Sequence, residues 1–206
     1  MKQQVVIVDY GMGNLRSVQK KLIKFLPDII LTSDPYQISK ADKLLLPGVG
    51  HFAMAVKNII KLGIWDTVNE TVLVKGTPVL GICLGMQLMA RHSQEGNVNG
   101  FGWFDAEVVR FKVEDKLKYK IPHIGWNNVL PTKPSKLFEG IPADSEFYFV
   151  HSYHIKSNKK SDVLAFTEYE SSFVSAFERN NIFGVQFHPE KSHIMGEKLL
   201  SNFLKI

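Results

Sequence analysis

Cysteine is nearly absent from this sequence, since Cys83 is the only one among 206 residues. A lone cysteine excludes an intramolecular disulfide, and with it the small secreted domains that depend on disulfides. No apolar run approaches the ~20 residues of a membrane-spanning helix. The segment 1–4 leads into a strand-like run and shows no signal-peptide pattern. We therefore expect a cytoplasmic protein with no membrane partner.

Clustered charge is missing as well. The net charge is +5, but the lysines are scattered along the chain, whereas nucleic-acid-binding proteins concentrate Lys and Arg on one face. Nucleic acid is therefore not an expected partner. His123, His151 and His154 lack the spacing of metal ligands, so we expect no metal and no cofactor. The chain has no repeat and no long linker, and its length suits one domain spanning residues 1–206.

Strands alternate with helices in the first half of the sequence. Apolar, β-branched runs, typical of buried parallel strands, fall at 5–8, 29–31, 44–46 and 78–82. The first helical pattern places on one face Leu15, Val18, Leu22 and Phe25. A second pattern, at 86–90, follows the fourth run. This alternation predicts a parallel sheet covered by helices on both faces.

The second half is rich in strands. Strand-like segments fall at 103–111, 121–130, 145–150, 163–169, 173–178 and 182–187. A hairpin turn is expected at 179–181, and a final helix carries Ile194, Leu199, Leu200, Phe203 and Leu204. The predicted fold class is α/β: an open, mostly parallel, twisted sheet with helices on both faces and additional antiparallel strands in the C-terminal half.

Cys83 lies in the segment Gly81-Ile82-Cys83-Leu84-Gly85, between a strand-like run and a helical pattern. This layout is typical of a nucleophile elbow, in which a sharp strand-to-helix turn exposes one reactive side chain. Glycines flank such a turn because a Cβ there would clash. The N–H groups of the following helix favour a thiolate. The alternative for a lone cysteine is a buried structural role.

A second motif supplies partners for a reactive cysteine. The strand-like run 182–187 ends at His188, and Glu190 follows two residues later. Cysteine chemistry needs a base for the thiol proton and a third group that orients the imidazole. Cys83, His188 and Glu190 would fill these catalytic roles. Separately, a loop histidine and a solvated carboxylate are ordinary, but their coincidence with the elbow favours the catalytic interpretation.

Six segments, spread from end to end, carry a family likeness: 9–15, 46–50, 81–87, 122–127, 148–153 and 184–192. On them the chain resembles the class I, triad-type glutamine amidotransferases, which have a flavodoxin-like sheet. It is most similar to the glutaminase subunits of imidazole glycerol phosphate synthases. The Cys83 and His188 segments are general to the class. The first, second and fourth segments are what point to these subunits.

The resemblance also assigns the rest of the site. Attack on an amide needs N–H donors for the developing oxyanion, and Leu84, which follows the nucleophile, offers one. The resemblance gives the second to Val49, flanked by Gly48 and Gly50, which would let that peptide flip. Spacing alone favours a simple glycine-rich turn there. The expected substrate-binding residues are Gly48, Gly50, Gln87, His151, Ser152 and Tyr153. Gln87 follows Cys83 by one helical turn, so its amide could reach a bound glutamine, although the position also suits a solvated helix residue.

The activity that the resemblance implies is hydrolysis of L-glutamine to glutamate and ammonia. Ammonia would pass through an internal channel to a (β/α)₈-barrel cyclase, in a heterodimer of histidine biosynthesis that makes imidazole glycerol phosphate and aminoimidazole carboxamide ribotide. Asn14, Trp126 and Lys191 would face the cyclase by resemblance. From the residues alone, a strand tryptophan is more typical of a core, and a loop lysine of solvent.

Three alternatives stay open. The segment 102–106, Gly-Trp-Phe-Asp-Ala, departs from the aliphatic sequence associated with the biosynthetic enzymes, so the chain could instead feed ammonia to a bacterial surface-sugar amidotransferase. A stand-alone γ-glutamyl hydrolase would turn over substrate without a partner. A catalytically silent scaffold on the same fold is disfavoured by the intact set of Cys83, His188 and Glu190.

Overall fold

The computed structural model describes residues 3–206, so the expectation for segment 1–4 lies partly outside the described residues. The strands are β1 (Val5–Val8), β2 (Ile29–Thr32), β3 (Lys43–Gly48), β4 (Val79–Cys83), β5 (Ala90–Ser93), β6 (Val98–Asn99), β7 (Phe104–Arg110), β8 (His123–Asn128), β9 (Leu130–Pro131), β10 (Glu146–His151), β11 (Tyr153–Ser157), β12 (Val163–Tyr169), β13 (Ser171–Arg179) and β14 (Ile182–Val185). The helices are α1 (Leu15–Leu22), α2 (Pro35–Ser39), α3 (Phe52–Lys61), α4 (Trp65–Asn69), α5 (Leu84–Gln87) and α6 (His193–Lys205). A π-helical turn, Glu70–Val74, extends α4.

Five strands run parallel in the order β2-β1-β3-β4-β14 and form the centre of the main sheet. On one side, β14 pairs antiparallel with β13, and the sheet continues through β11 and β7 to β5 and β6. β12 and β9 branch from β13, while β8 and β10 form a separate antiparallel pair. The predicted fold class, a parallel sheet with added antiparallel strands, is confirmed.

Helices cover both faces of the parallel centre, as the alternation of side chains in β1 shows. Val5 and Ile7 belong to a core cluster with the apolar residues of α1 and α6. Val6 and Val8 point the other way, into a cluster with the apolar residues of α3. Every residue of β1 is buried, which is why its sequence is continuously apolar and does not alternate with polar residues.

Helix α1 begins at a capping residue and ends earlier than its apolar pattern predicts. The Asn14 side chain accepts a hydrogen bond from Ser17 N–H at 3.3 Å, which satisfies a free donor of the first turn. The helix ends at Leu22, and Phe25 N–H donates to Leu22 O in a tighter turn. That turn rotates Phe25 off the apolar face and leaves it 43% exposed. Its predicted place on the buried face is therefore wrong.

Two further elements differ from the sequence prediction. The helix expected at 86–90 is the single turn α5, because the chain must enter β5 at Ala90. The strand expected at 121–130 is split at Val129 into β8 and β9, which pair in different sheets. No helix within residues 3–206 is long and apolar enough to cross a bilayer.

Candidate active site

The candidate site lies at the carboxyl ends of the central parallel strands, where open α/β sheets bind their ligands. Gly48, the last residue of β3, pairs in register with Cys83, the last residue of β4. β14 flanks β4 on the other side, with Val185 opposite Ile82. The chain leaves β14 toward His188. Three segments far apart in sequence therefore meet at one edge of the sheet.

Cys83 stands at the sharp turn that its flanking glycines predict. Its backbone has φ 53° and ψ −108°, a conformation that L-residues rarely adopt. A Cβ on Gly85 would collide with the carbonyl oxygen of Leu46, and one on Gly81 would come 2.7 Å from Met86 N. Both positions require glycine. Because α5 has only four residues, few aligned peptides face the sulfur, and the expected helix-dipole contribution is small.

His188 and Glu190 form a buried pair behind Cys83. His188 Nδ1 lies 2.8 Å from Glu190 Oε1, and the two side chains are 1% and 5% exposed. Burial alone lowers the pKa of His188, but the nearby Cys83 sulfur and the Glu190 carboxylate outweigh it and raise that pKa above its usual value. His188 Nε2 makes no hydrogen bond of ordinary geometry within residues 3–206. That nitrogen is therefore free to exchange a proton on the Cys83 side.

A cavity of about 250 Å³ opens beside the sulfur. Its lining residues are Val49, Gly50, Cys83, Leu84, Gln87, Glu95, Pro122, Val150, His151, Ser152 and Tyr153. These include most of the sequence-predicted site. Gly48, His188 and Glu190 do not line it. A larger groove, of about 870 Å³, runs past Lys133 and Phe183 and holds none of the predicted site residues.

The segment predicted to supply an oxyanion donor is exposed on one side and confined on the other. Val49 is 43% exposed, and Gly50 has φ +129°. A Cβ on Gly13, in the turn before α1, would come 2.7 Å from Val49 N. A Cβ on Gly48 would collide with the Tyr10 hydroxyl. The peptide before Val49 is therefore packed directly against the first turn of the chain.

A chain of buried polar groups leads from β8 into the cavity. His151 Nδ1 lies 2.8 Å from the Tyr153 carbonyl oxygen, which can only accept, so this nitrogen carries a proton. In the neutral ring, His151 Nε2 then accepts from His123 Nδ1 at 3.2 Å. Burial lowers the pKa of His123 to about 4 and lowers that of His151 well below its usual value. Both rings are held neutral, each in one tautomer.

Gln87 belongs to the same interior and is not the solvated helix residue that its position alone suggests. Only 4% of it is exposed. Its Nε2 donates to the Tyr153 carbonyl oxygen and to Gln186 Oε1, each at 3.0 Å. Gln87 therefore ties the helix after Cys83 to the substrate-binding segment predicted at 151–153.

Sequence reasoning missed two polar residues of this site. Glu95 lines the cavity, and its Oε2 accepts a hydrogen bond from Phe52 N–H at 2.8 Å at the start of α3. Gln186 Nε2 lies 3.6 Å from Cys83 Sγ. Glu95 gave no signal in the sequence, where it is an isolated acidic residue after the helical pattern predicted at 86–90. Gln186 stood inside the His188 motif, but nothing in that motif indicated the direction of its side chain.

The residues predicted to face a partner lie on the surface, and none of them lines the cavity. Trp126 is 42% exposed, stacks on His193 at 4.8 Å and meets the Tyr148 ring edge-on at 6.0 Å. Lys191 Nζ lies 5.4 Å above the same Tyr148 ring. We call Trp126, Tyr148, Lys191 and His193 the Trp126 surface. Asn14 is exposed where it caps α1.

The Trp126 surface and the cavity share one structural element. In the β8–β10 pair, Trp126 lies opposite Tyr148, and His123, three residues earlier in β8, lies opposite His151. One end of this pair therefore contributes to the surface and the other to the cavity wall. Among residues 3–206, no group of three or more His, Cys, Asp or Glu side chains is placed to hold a metal ion.

This fold and this pairing of an elbow cysteine with a buried His–Glu pair define a class of protein. The chain belongs to the class-I glutamine amidotransferase family, whose model matches residues 6–206.

Within this family, the chain is similar over nearly its full length to subunits of imidazole glycerol phosphate synthases. The chain is 48% identical over 201 residues to imidazole glycerol phosphate synthase subunit HisH 2 of Methanococcus maripaludis, covering 98% of both chains. It is 45% identical over 203 residues to subunit HisH 1 of Campylobacter jejuni, covering 98% of this chain and 100% of that one. The expected family is thus confirmed.

The similarity to solved structures supports only the fold, because their sequence identity to this chain is low. A glutamine amidotransferase from Thermotoga maritima has a TM-score of 0.64 at 19% identity and covers 92% of this chain and 77% of its own. PurLQS from the same organism has a TM-score of 0.71 at 15% identity, covering 100% and 99%.

Proposed function

We propose that residues 1–206 act as one domain, the cytoplasmic glutaminase subunit of an imidazole glycerol phosphate synthase. The observation that carries the proposal is that Cys83 lines a cavity large enough for a small amino acid and has the buried His188–Glu190 pair behind it. The full-length identity to subunits of that synthase supports the pathway. The substrate is L-glutamine, and no cofactor takes part.

The proposed reaction runs through a thioester. His188 takes the proton of Cys83, and the sulfur attacks the side-chain amide carbon of glutamine. The oxyanion that forms meets the backbone N–H groups of Leu84 and, after rotation of its peptide, Val49. His188 gives the proton to the leaving nitrogen, which departs as ammonia. Water, deprotonated by His188, then cleaves the γ-glutamyl thioester and releases glutamate, while Glu190 keeps the imidazole in its working tautomer.

In this proposal, the α-amino and α-carboxylate groups of glutamine bind at the wall of the cavity away from Cys83. Glu95 is the one carboxylate among the lining residues, so it faces the substrate's α-ammonium. Backbone groups of Ser152 and Tyr153 and the side chain of Gln87 complete the binding site, with His151 behind them. Gly48 and Gly50 flank the Val49 peptide and give it freedom to rotate.

The partner in the proposal is a (β/α)₈-barrel cyclase that receives the ammonia and converts a ribulosyl ligand to imidazole glycerol phosphate and aminoimidazole carboxamide ribotide. The Trp126 surface supports a docking face here, because it places a large aromatic side chain and a cation in solvent, on the strand pair that also carries His151 of the cavity wall. Asn14 lies in the turn that packs against Val49. A protein seated on this face would contact both the surface and the oxyanion segment.

A second pathway has one observation in its favour. Methanococcus maripaludis has two numbered HisH subunits, and the chain is 48% identical to HisH 2 but 42% identical to HisH 1. A second copy is what a dedicated ammonia supplier for a surface-sugar amidotransferase would require. The unusual segment 102–106 adds nothing to this alternative. Trp103 is buried, stacks on Phe101 and donates to Asn69, away from the cavity.

The experiment is to copurify the chain from its native host, identify the bound protein by mass spectrometry, and assay glutamine hydrolysis with and without that protein. Capture of a barrel cyclase, with hydrolysis that depends on it, is expected. Capture of a sugar amidotransferase would redirect the proposal to the second pathway. Full hydrolysis by the chain alone would indicate a stand-alone hydrolase.

A further inference from the structure

Gln186 places a buried amide against the sulfur of Cys83. It follows the last residue of β14, its backbone N–H donates to Ser175 O at 2.9 Å, and none of its surface is exposed. Its Nε2 lies 3.6 Å from Cys83 Sγ. Its Oε1 accepts from Gln87 Nε2 at 3.0 Å. Both ends of the amide are therefore engaged, one of them by the reacting atom of the proposed nucleophile.

A backbone carbonyl fixes the orientation of this amide. Gln87 Nε2 also lies 3.0 Å from the Tyr153 carbonyl oxygen, which can only accept a hydrogen bond. Gln87 must therefore present its NH₂ group to Tyr153 and to Gln186, and Gln186 must receive it with its oxygen. The NH₂ group of Gln186 is left facing the sulfur. Gln186 thus meets Cys83 with an N–H donor, while the Val150 carbonyl oxygen, 4.0 Å from Sγ, can accept the thiol proton.

We propose that Gln186 is a positioning residue for glutamine hydrolysis. It donates a hydrogen bond to the Cys83 thiolate and, through Gln87, holds the sulfur in a fixed relation to the Tyr153 carbonyl at the substrate end of the cavity. A hydrogen bond to the charged form of a group favours that form, and the thiolate is the form that attacks. Gln186 neither gains nor loses a proton. This inference rests on the proposed role of Cys83.

A purely structural role for Gln186 makes a different prediction. A buried amide that only satisfies Gln87 would, when replaced, lower stability and leave the reactivity of the sulfur unchanged. A donor to the thiolate would, when replaced, lower the fraction of Cys83 present as thiolate in the folded protein. The two roles are therefore separated by the chemistry of the sulfur and not by stability.

The test measures alkylation of Cys83 by iodoacetamide in the folded, full-length chain near neutral pH, together with the ultraviolet absorbance of the thiolate. Gln186→Met keeps the length of the side chain and removes the donor, and Gln186→Glu replaces the donor with an acceptor. The matched control is Gln19→Met, because the Gln19 amide donates to Ile29 O on α1's side of the sheet. Circular dichroism establishes that each variant is folded.

Alkylation should slow at least about tenfold in Gln186→Met, the factor that one hydrogen bond to a charged group carries, and further in Gln186→Glu. Gln19→Met should react at the wild-type rate. A folded Gln186→Met that reacts as fast as wild type would overturn the inference. A Cys83→Ala chain that still hydrolyses glutamine would instead remove the proposed function, so the two failures are distinguishable.

A second measurement uses no Gln186 variant and stands even if both fail to fold. In the nitrogen-labelled wild-type chain, the side-chain amide resonance of Gln186 should shift with pH in step with the thiolate absorbance. In Cys83→Ala, which keeps His188 and Glu190, that pH dependence should be lost. A resonance that moves equally in both proteins, or in neither, would contradict a hydrogen bond from Gln186 to the thiolate.

Discussion

The His188–Glu190 pair and the Val49 segment, two parts of the same site, differ in how completely they are buried and hydrogen-bonded in the folded chain. On the proton-transfer side, His188 is 1% exposed and is already bonded to Glu190 at 2.8 Å. On the oxyanion side, Val49 is 43% exposed between two glycines. The first side is a finished, buried pair, and the second is an open surface. Under the proposed function, this chain builds its own base but leaves the oxyanion donor to be set by whatever covers that surface.

The largest expected effect comes from removing the sulfur on the finished side. Cys83→Ala should lower glutamine hydrolysis about a thousandfold or more, the scale of a lost nucleophile, because the sequence has no other thiol. With added ammonia, the same variant in complex with the cyclase should keep the synthase reaction. Glutamine-dependent turnover near the wild-type rate would place the nucleophile outside the elbow.

The contributions of His188 and Glu190 to activity can be separated by single substitutions. His188→Asn should lose nearly as much activity as Cys83→Ala, because His188 moves the protons of both half-reactions. Glu190→Gln should lose roughly two orders of magnitude less, since the third member of such a triad only orients and stabilises. Steady-state kinetics with glutamine measure both. If Glu190→Gln matches wild type, the carboxylate is only a structural partner of His188.

The open side is tested by restricting the peptide that is proposed to rotate. Gly50 has φ +129°, and a Cβ there would come 2.6 Å from Met12 Cε. In the complex, Gly50→Ala should lower kcat by ~10²–10³, the worth of one oxyanion donor, with little change in KM. Gly63→Ala is the control, because Gly63 also has a positive φ, +67°, but no atom lies within 4 Å of its Cβ. Equal kcat in both variants would argue against a moving peptide.

Docking on the open surface should be measurable by titration calorimetry with the cyclase. Trp126→Ala and Lys191→Ala should each weaken association by ~1–3 kcal/mol, the range for interface anchors, and lower stimulation by the ribulosyl ligand. Lys61→Ala, at the exposed end of α3, is the control for loss of a lysine. Unchanged Kd in both surface variants would put the interface elsewhere.

The smallest expected effect concerns two buried, neutral histidines, His123 and His151. The pKa of His123 is lowered by burial to about 4, from 6.5, and that of His151 is lowered as well. The contribution of His123 to stability is complete above about pH 6.5 and is lost as the pH falls toward 4, because the unfolded chain then binds a proton that the folded chain does not. Between pH 6.5 and pH 4, the free energy of unfolding from denaturant titrations should fall by about 1–2 kcal/mol less in His123→Gln than in the wild-type chain. An equal fall in both proteins would mean that His123 takes up its proton as readily in the folded chain as in the unfolded one.

Much of the finished side was predictable from local sequence. Gly81 is required by contacts close to Cys83 in sequence, and Gly85 by the Leu46 carbonyl oxygen of the neighbouring strand β3. Both glycines nevertheless fall within the five consecutive residues of the elbow. His188 and Glu190 are two residues apart at a strand end. Each signal is short-range, and the resemblance of the six segments then gave the family.

The rest depended on which strands are neighbours. Gln186 meets Cys83 across 103 residues of sequence, because β14 is inserted beside β4, and no periodicity encodes that choice. Glu95 reaches the cavity for a similar reason, through its contact with the start of α3. The exposure of Trp126 was equally hidden, since a strand tryptophan fits a core as well as a surface. Long-range pairing, and not local propensity, decided all three.

The difference between the two sides is tested most directly by the kcat and KM of glutamine hydrolysis, measured for the isolated chain and for the chain saturated with cyclase and its ribulosyl ligand. If the buried pair is complete and the oxyanion donor is not, the partner and ligand should raise kcat by at least ~10², the worth of one donor, and change KM far less. Full kcat in the isolated chain, unaffected by the cyclase, would contradict the account.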